Sequence, residues 1–486
     1  MTTTKTHQHD ILIIGSGFSG LGMAIQLKKQ GRHDFVVLEK AASLGGTWRD
    51  NHYPGAACDV PSHMYSFSFE QNPNWSKFYS PQPEILGYMQ HCTDKYQVNS
   101  HFQFNQEVVE ARWKEDQQRW YVRTAQGQEF SARVVISGIG ALSRPALPKV
   151  KGLDKFKGEV FHSAEWNHDY DLSNKRVAVV GSGASAIQFV PQIQPQVKSL
   201  VLFQRTAPWL IPKPDFKMAR PLQRVFDKLP TTQRVFRDFV YWNAEAFGTG
   251  FLHPKLMSGI AALAKAHLRR QIKDPVLREK LTPNYTIGCK RVLFSNNYYP
   301  ALAQSNVDVV ASGVAEVTKD SVIASNGERH QVDAIICGTG FDVSDPFGPF
   351  KLYDKNGVEI HSRKNFSAYL GIQTRDVPNF FMLLGPNTGL GHNSIIFMIE
   401  QQIQYTLKCL NELDRRTAQV IAVKPEVEDE FNEKTQARLR ETVWGSGGCK
   451  SWYLNDEGEN YTVWPGFTWQ YWLSTRQPKF QHYDFN

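Results

Sequence analysis

The chain has 486 residues, 41% of them apolar and 21% charged, and its 35 glycines and 25 prolines are ordinary for a soluble globular protein of two or three domains. That composition excludes a disordered, collagenous or disulfide-scaffold protein, and no apolar run reaches the roughly 18 residues needed to cross a bilayer. The formal net charge of +8 is spread along the chain without a basic run, so the electrostatic footprint of a nucleic-acid binder is missing.

In chain order, the opening MTTTKTHQH lacks the apolar segment of a secretion signal and reads as a frayed tail, which implies a cytoplasmic protein. An apolar strand over Ile11 to Ile14 then runs into Gly15-x-Gly17-x-x-Gly20 and an apolar-periodic helix. In that setting Gly15 permits a tight turn, Gly17 lets a pyrophosphate approach the backbone, and Gly20 lets the helix pack on the strand. The helix N-terminus favours the anion. The next strand, Phe35 to Leu38, ends in Glu39, and a carboxylate there is suited to accept hydrogen bonds from ribose hydroxyls.

A second copy begins with the strand Arg176 to Val180, and Gly181-Ser182-Gly183 leads through Ser185 to the small Ala186 in place of a third glycine. Its next strand ends in Gln204, Arg205 and Thr206, with Arg205 standing as far after Gly181 as Glu39 does after Gly15. A guanidinium binds a 2′-phosphate bidentately where an acid repels it, so this copy is read as preferring NADPH to NADH. The acid-tipped first copy and the arginine-tipped second predict FAD in the first and NADPH in the second, an electron-transfer layout.

Between Pro212 and about Lys290 the sequence is rich in aromatic residues and in helix-compatible runs such as MSGIAALAKAHLRRQI. It is read as a helical insertion packed over the active site in preference to a membrane-facing amphipathic helix. DAIICGTGF, Asp333 to Phe341, echoes VVISGIGALSRPALP, Val134 to Pro148, and the two read as crossings between domains. The predicted architecture is α/β with two Rossmann-like dinucleotide-binding domains. Residues 1–150 form the first part of the FAD domain, 151–330 the NADPH domain with its insertion at about 212–290, and 331–486 the second part of the FAD domain with an aromatic C-terminal segment.

Cys58, Cys92, Cys289, Cys337, Cys409 and Cys449 form no C-x-x-C pair, which argues against a metal knuckle or dithiol redox centre and predicts free thiols. Trp444, Trp452 and Tyr453 are read as core or pocket lining, with core preferred.

GGTWRDNHYPGAACD, Gly45 to Asp59, and FKGEVFHSAEWN, Phe156 to Asn167, resemble the two signatures of flavin-dependent Baeyer–Villiger monooxygenases, and the resemblance covers nearly the whole chain. In the second signature Phe156, Gly158, His162 and Trp166 match, while Asn167 stands where the family has Pro or Asp. Relatives that oxygenate nitrogen or sulfur usually carry Tyr or Phe at the position of Trp166, so ketone oxidation is preferred, with N- or S-oxygenation as the alternative. A dehydrogenase or a non-enzymatic flavin sensor on the same plan is a further rival.

The resemblance implies an NADPH- and O2-dependent enzyme that inserts an oxygen atom next to a ketone carbonyl, through a C4a-peroxyflavin, to give an ester or lactone. It implies that Arg291, in Cys289-Lys290-Arg291, is the cation that holds the peroxide, and that Asp59 pairs with it and contacts the nicotinamide. Lys290 is implied to help Arg205 and Thr206 hold the 2′-phosphate. Phe18, Ser19, Glu39, Gly46, Thr47, Trp48 and Tyr65 are placed near FAD, the Val108 backbone near its adenine, and Asn387 on a flavin-edge loop. His162 is read as a linker between domains. The expected partners are a ketone and O2, with no nucleic acid, no metal and no stable membrane insertion.

Overall fold

The computed structural model describes residues 6–343, 350–362, 366–449, 451, 453–455 and 458–486. The uninterrupted apolar runs ending in Ile14 and Val180 become inner strands of two separate sheets, because a strand covered on both faces needs no polar side.

The first sheet has eight strands. From one edge they run Lys351–Tyr353, Val108–Lys114, Arg119–Thr124, Glu129–Ser137, Thr6–Ile14, Phe35–Leu38 and Phe102–Gln103, and Phe380–Met382 also pairs with Glu129–Ser137. Helix Phe18–Lys29 follows its first glycine turn and shares one buried cluster, through Leu21 and Ile25, with Ile399 and Ile403 of the long helix Ile395–Arg416. Thr6 to His9, expected to fray, instead extend the first strand against Glu129–Ala132, and the His7 ring stacks on Phe130 at 5.3 Å. The partner strand lies far along the chain, so nothing local marks the extension. The preceding five residues of the expected tail lie outside the described residues.

The second sheet is parallel, in the order Val307–Val310, Ser199–Phe203, Arg176–Val180, Ala334–Cys337, Glu159–His162. Ala334–Cys337, which the sequence reading grouped with the returning segment after 331, is an inner strand here. Both sheets use an apolar strand ending in a glycine turn, so that pattern alone does not say which sheet a strand joins.

The stretch after Pro212 folds into helices Arg220–Lys228, Pro230–Leu252, Met257–Gln271 and Pro275–Lys280. On the inner side of Pro230–Leu252, Arg237 donates to the carbonyls of His63 and Ser66, and Gln233 donates to that of Asn72 at 2.7 Å. The connecting segments around 144–146 and 340–342 lie side by side. Pro145 bridges Phe341, Ala146 N donates to Gly340 O at 3.0 Å and Asp342 N to Arg144 O at 2.9 Å.

His162 ends a strand beside this crossing, with its ring edge on Phe341 at 5.7 Å, and burial lowers its pKa. Trp166 packs between Phe161 and Phe189 at 5.1 and 5.3 Å. Asn167 accepts from Asp169 N at 3.0 Å through its side-chain oxygen, the turn contact an aspartate makes in the same place. Among the described residues no helix is long and apolar enough to cross a membrane.

Candidate active site

The first glycine turn is built for close backbone approach. Gly15 has φ +94°, and a Cβ on Gly20 would lie 1.9 Å from the Gly15 carbonyl oxygen. Gly46, with φ +51°, backs onto this turn, and a Cβ there would lie 3.1 Å from Gly17 Cα. Glycines on both walls leave a bare backbone cradle into which a pyrophosphate fits. Ser19 is buried in the helix that follows, and Thr47 opens the short helix Thr47–Asp50 on the opposite wall. Beside them the Phe18 and Tyr65 rings meet edge to face at 5.4 Å, and Trp48 Nε1 donates to the Tyr65 hydroxyl at 3.1 Å.

Glu39 sits at the strand end, but four donors already converge on its carboxylate. Ser16 donates through its backbone N at 2.9 Å and its hydroxyl at 2.6 Å, Ala41 N at 3.0 Å, and Arg49 Nη1 at 3.1 Å. A carboxylate offers about four lone-pair directions, so a ribose hydroxyl has to share with, or displace, one of these. Val108 begins its strand just before an irregularity in register with Arg119–Thr124. Asn387 has φ +56° and donates through Nδ2 to the carbonyls of Asn460 at 2.7 Å and Val463 at 3.3 Å. Its amide thus ties the late glycine-rich loop to the C-terminal segment.

The second turn repeats the logic with a difference. A Cβ on Gly181, whose φ is +104°, would lie 2.4 Å from the Gly338 carbonyl oxygen, whereas one on Gly183 would meet nothing within 4 Å. Glycine at 183 is therefore not required by the protein's own packing. Ser185 precedes helix Ala186–Ile193, and a Cβ on Gly338 would sit 3.4 Å from Ala186 Cβ, so this crossing takes only small residues. Ser182 Oγ donates to the Thr206 carbonyl at 3.4 Å, tying the turn to the next strand's end.

Arg205 is exposed there, its stem beside Gly313. Thr206 and Lys290 line one cavity of about 720 Å³ together with Trp209, Lys265 and Tyr285. Burial, and secondarily the charge of Arg205, lower the pKa of Lys290, whose ammonium lies 4.9 Å from the Tyr285 ring centroid. Thr206 and Lys290 thus line one cavity, with Arg205 near enough for its charge to act on Lys290.

Asp59 and Arg291, 232 residues apart, are in direct contact: Arg291 donates through Nε to Oδ2 of Asp59 at 2.8 Å, and its Nη2 lies 2.7 Å from the same oxygen as an ion pair. Neither Oδ1 of Asp59 nor Nη1 of Arg291 makes a hydrogen bond to the described residues. Asp59 is fixed by backbone pairing of the preceding residues, with Cys58 N donating to Ser80 O at 3.0 Å and Gln82 N to Ala56 O at 2.8 Å. Arg291 is fixed by the following strand, Leu293–Phe294, which pairs with Leu210–Ile211. The Asp59 carboxylate raises the pKa of Arg291 further, against the opposing effect of burial.

Cys289 and Cys449 are joined in a disulfide, contrary to the expectation of free thiols; Cys58, Cys92, Cys337 and Cys409 are free and buried. The fold brings the two α-carbons to 6.2 Å across 160 residues, a proximity no spacing rule reveals. Trp444 and Tyr453 are buried, Trp444 stacking on Phe251 at 5.4 Å, while Trp452 lies outside the described residues. Sequence reasoning missed Gln188. From the second lobe its side chain accepts from the Tyr53 hydroxyl at 2.8 Å and donates to Ala57 O at 2.9 Å, clasping the segment that ends in Asp59. It also missed Lys213, whose ammonium lies 3.5 Å from the Cys58 carbonyl. Neither residue belongs to a motif, and only the folded chain shows their positions.

Residues 12–227 match the family described as pyridine nucleotide-disulphide oxidoreductase. A Baeyer–Villiger monooxygenase of Pseudomonas aeruginosa is 49% identical over 471 residues, covering 96% of this chain and 89% of the relative. The chain belongs to the Baeyer–Villiger monooxygenases. A solved cyclohexanone monooxygenase in its closed form superimposes with a TM-score of 0.90 at 26% identity, covering 99% of this chain and all of the other. The OTEMO complex with FAD and NADP superimposes with a TM-score of 0.89 at 25% identity, covering 99% of this chain and 100% of that one. As a Baeyer–Villiger monooxygenase, the protein uses FAD, NADPH and O2 to insert an oxygen atom next to a ketone carbonyl, giving an ester or lactone. The nitrogen- and sulfur-oxygenating alternative has no support from these relatives.

Proposed function

We propose that Arg291 is the cation that stabilises negative charge on the reacting oxygen and that Asp59 sets its direction. The observation that carries this reading is the packing of Arg291 Nε and Nη2 against a single Asp59 oxygen, a hydrogen bond and an ion-pair contact, which leaves Nη1 for another acceptor. FAD reduced by NADPH supplies the electrons and the place where dioxygen is activated. Arg291 stays protonated throughout, since Asp59 holds its pKa above the ordinary arginine value. A fixed cation placed where charge develops lowers a barrier without reorganising during the step.

Arg205, Thr206 and Lys290 hold the 2′-phosphate, and the cavity that Thr206 and Lys290 share supports this grouping. Gly15, Gly17, Gly20 and Gly46 receive the pyrophosphate of FAD, with Phe18, Ser19, Thr47, Trp48, Tyr65, the Val108 backbone and Asn387 around that cofactor. Gly181, Ser182, Gly183, Ser185 and Ala186 form the corresponding turn for NADPH. Phe251, Trp444 and Tyr453 belong to a buried cluster that also holds Cys289 and Val292, the neighbours of the Lys290-Arg291 pair.

The test is to supply the flavin-loaded protein with NADPH, O2 and a panel of ketones, amines and sulfides. Wild type is expected to give esters or lactones. Arg291→Ala is expected to keep flavin reduction by NADPH while ester formation falls about 10²- to 10³-fold, the usual effect of removing one charge-stabilising donor. Ester formation at the wild-type rate in this variant would overturn the assignment.

A further inference from the structure

The helical hairpin Arg220–Lys228 and Pro230–Leu252 has two faces with different tasks. Its inner face, through Gln233 and Arg237, holds the backbone of His63 to Asn72, as described above. Its outer face exposes large apolar side chains to solvent, although the Trp242 ring also meets Tyr241 edge to face at 5.3 Å. Val235, Phe239 and Trp242, at helical spacing i, i+4, i+7, are 63%, 65% and 59% exposed, and Leu229 at the hairpin bend is 59% exposed. Scattered exposed apolar residues need no explanation, but a contiguous stripe with two aromatic rings marks an interaction surface.

The charges around this stripe identify what it meets. Lys217, Arg220, Arg224, Lys228 and Arg234 are all exposed, and none forms an ion pair among the described residues. The exposed acids of the hairpin are Asp227 and Asp238, with Asp215 beside Lys217 just before it, so the five cations remain in excess over three acids. Arg237 is buried and 4.0 Å from Glu400, and contributes nothing outside. An aromatic-bearing apolar ridge flanked by unpaired cations is the composition of a helix that lies in a membrane interface, with rings at the acyl boundary and cations among anionic headgroups. A two-fold contact with a second copy would set these cations against themselves, since such an interface places one patch on both subunits.

We infer that this hairpin seats the protein on the surface of an anionic lipid bilayer, lying on it without crossing. The ridge supplies the apolar contact and the basic residues supply the attraction, so both are needed and added salt weakens the association.

The experiment is co-sedimentation of the full-length, flavin-loaded protein with vesicles of phosphatidylcholine alone and of phosphatidylcholine and phosphatidylglycerol in equal amounts. Binding is expected to be about tenfold stronger on the anionic vesicles and to fall about tenfold in Phe239→Ser/Trp242→Ser and in Arg224→Glu/Arg234→Glu. These side chains are exposed, so flavin content and NADPH oxidation in solution are expected to be unchanged, which separates this inference from the assignment of the active site. Wild-type protein remaining in the supernatant with anionic vesicles overturns the inference, as does wild-type binding by both double variants. A stable dimer in solution that Phe239→Ser/Trp242→Ser converts to monomers also overturns it, and assigns the face to a second copy.

Discussion

At the scale of single residues, the proposed NADPH end of the site draws on Arg205 and Lys290, which differ in their surroundings. Arg205 is exposed, and Arg205→Ala is expected to raise KM for NADPH by about ten- to a hundredfold, the worth of a charge-assisted contact, with KM for NADH almost unchanged. Steady-state kinetics with both coenzymes checks this, and equal effects on the two would contradict it. Lys290 is held below the ordinary lysine pKa by burial and by Arg205. Its ammonium, the form that attracts phosphate, is therefore lost at a lower pH than that of a free lysine. KM for NADPH is expected to rise on the alkaline side, ahead of any rise for NADH, and Lys290→Arg is expected to abolish that limb. Glu39 shows how far sequence carries a residue's role. Its position at the strand end was legible, but the four donors that engage it come from three separate segments and were not.

At the scale of elements, the two glycine turns differ in what their middle glycine is for, although the sequence writes both the same way. A Cβ on Gly183 meets no atom within 4 Å, and this glycine has no positive φ, so alanine fits the protein itself. Gly183→Ala is expected to leave Tm and flavin content unchanged while raising KM for NADPH, because only the bound pyrophosphate approaches that close. Gly46→Ala, with φ +51° and Gly17 facing it, is expected to lower flavin content as well as stability, measured by absorbance after gel filtration and by thermal unfolding. Near the C-terminal end of helix Ile395–Arg416, hydrogen bonds from Arg415 and Arg416 take the Glu412 pKa from 4.5 to about 2. A carboxylate with a depressed folded-state pKa adds stability that is present above its unfolded value and lost as the pH falls through its folded one. Glu412→Gln is therefore expected to flatten the acid-side fall in Tm between these values.

At the scale of the whole molecule, the sequence predicted both nucleotide folds because each is a local run of strand, turn and helix. Contacts made over long distances were hidden. Ala334–Cys337 joins the second sheet, Thr6 to His9 find a partner strand beyond residue 128, and Gln188 clasps the segment leading to Asp59. The Cys289–Cys449 bridge is another of these links, closing a span of 160 residues. In the chain-entropy limit a loop of this length contributes about 5 kcal/mol, so reduction, or Cys449→Ser, is expected to lower Tm, with thermal scans in the presence and absence of a thiol as the check.

That bridge also changes what the chain is once its structure has gone. With 160 residues closed by sulfur between the segment of Arg291 and the C-terminal segment, denaturant yields a lasso and not a line. The lasso is expected to be more compact and to run ahead of the linear chain on a denaturing gel until a thiol is added. In it Arg291 and Trp444 stay threaded on the same ring while everything between them is undone.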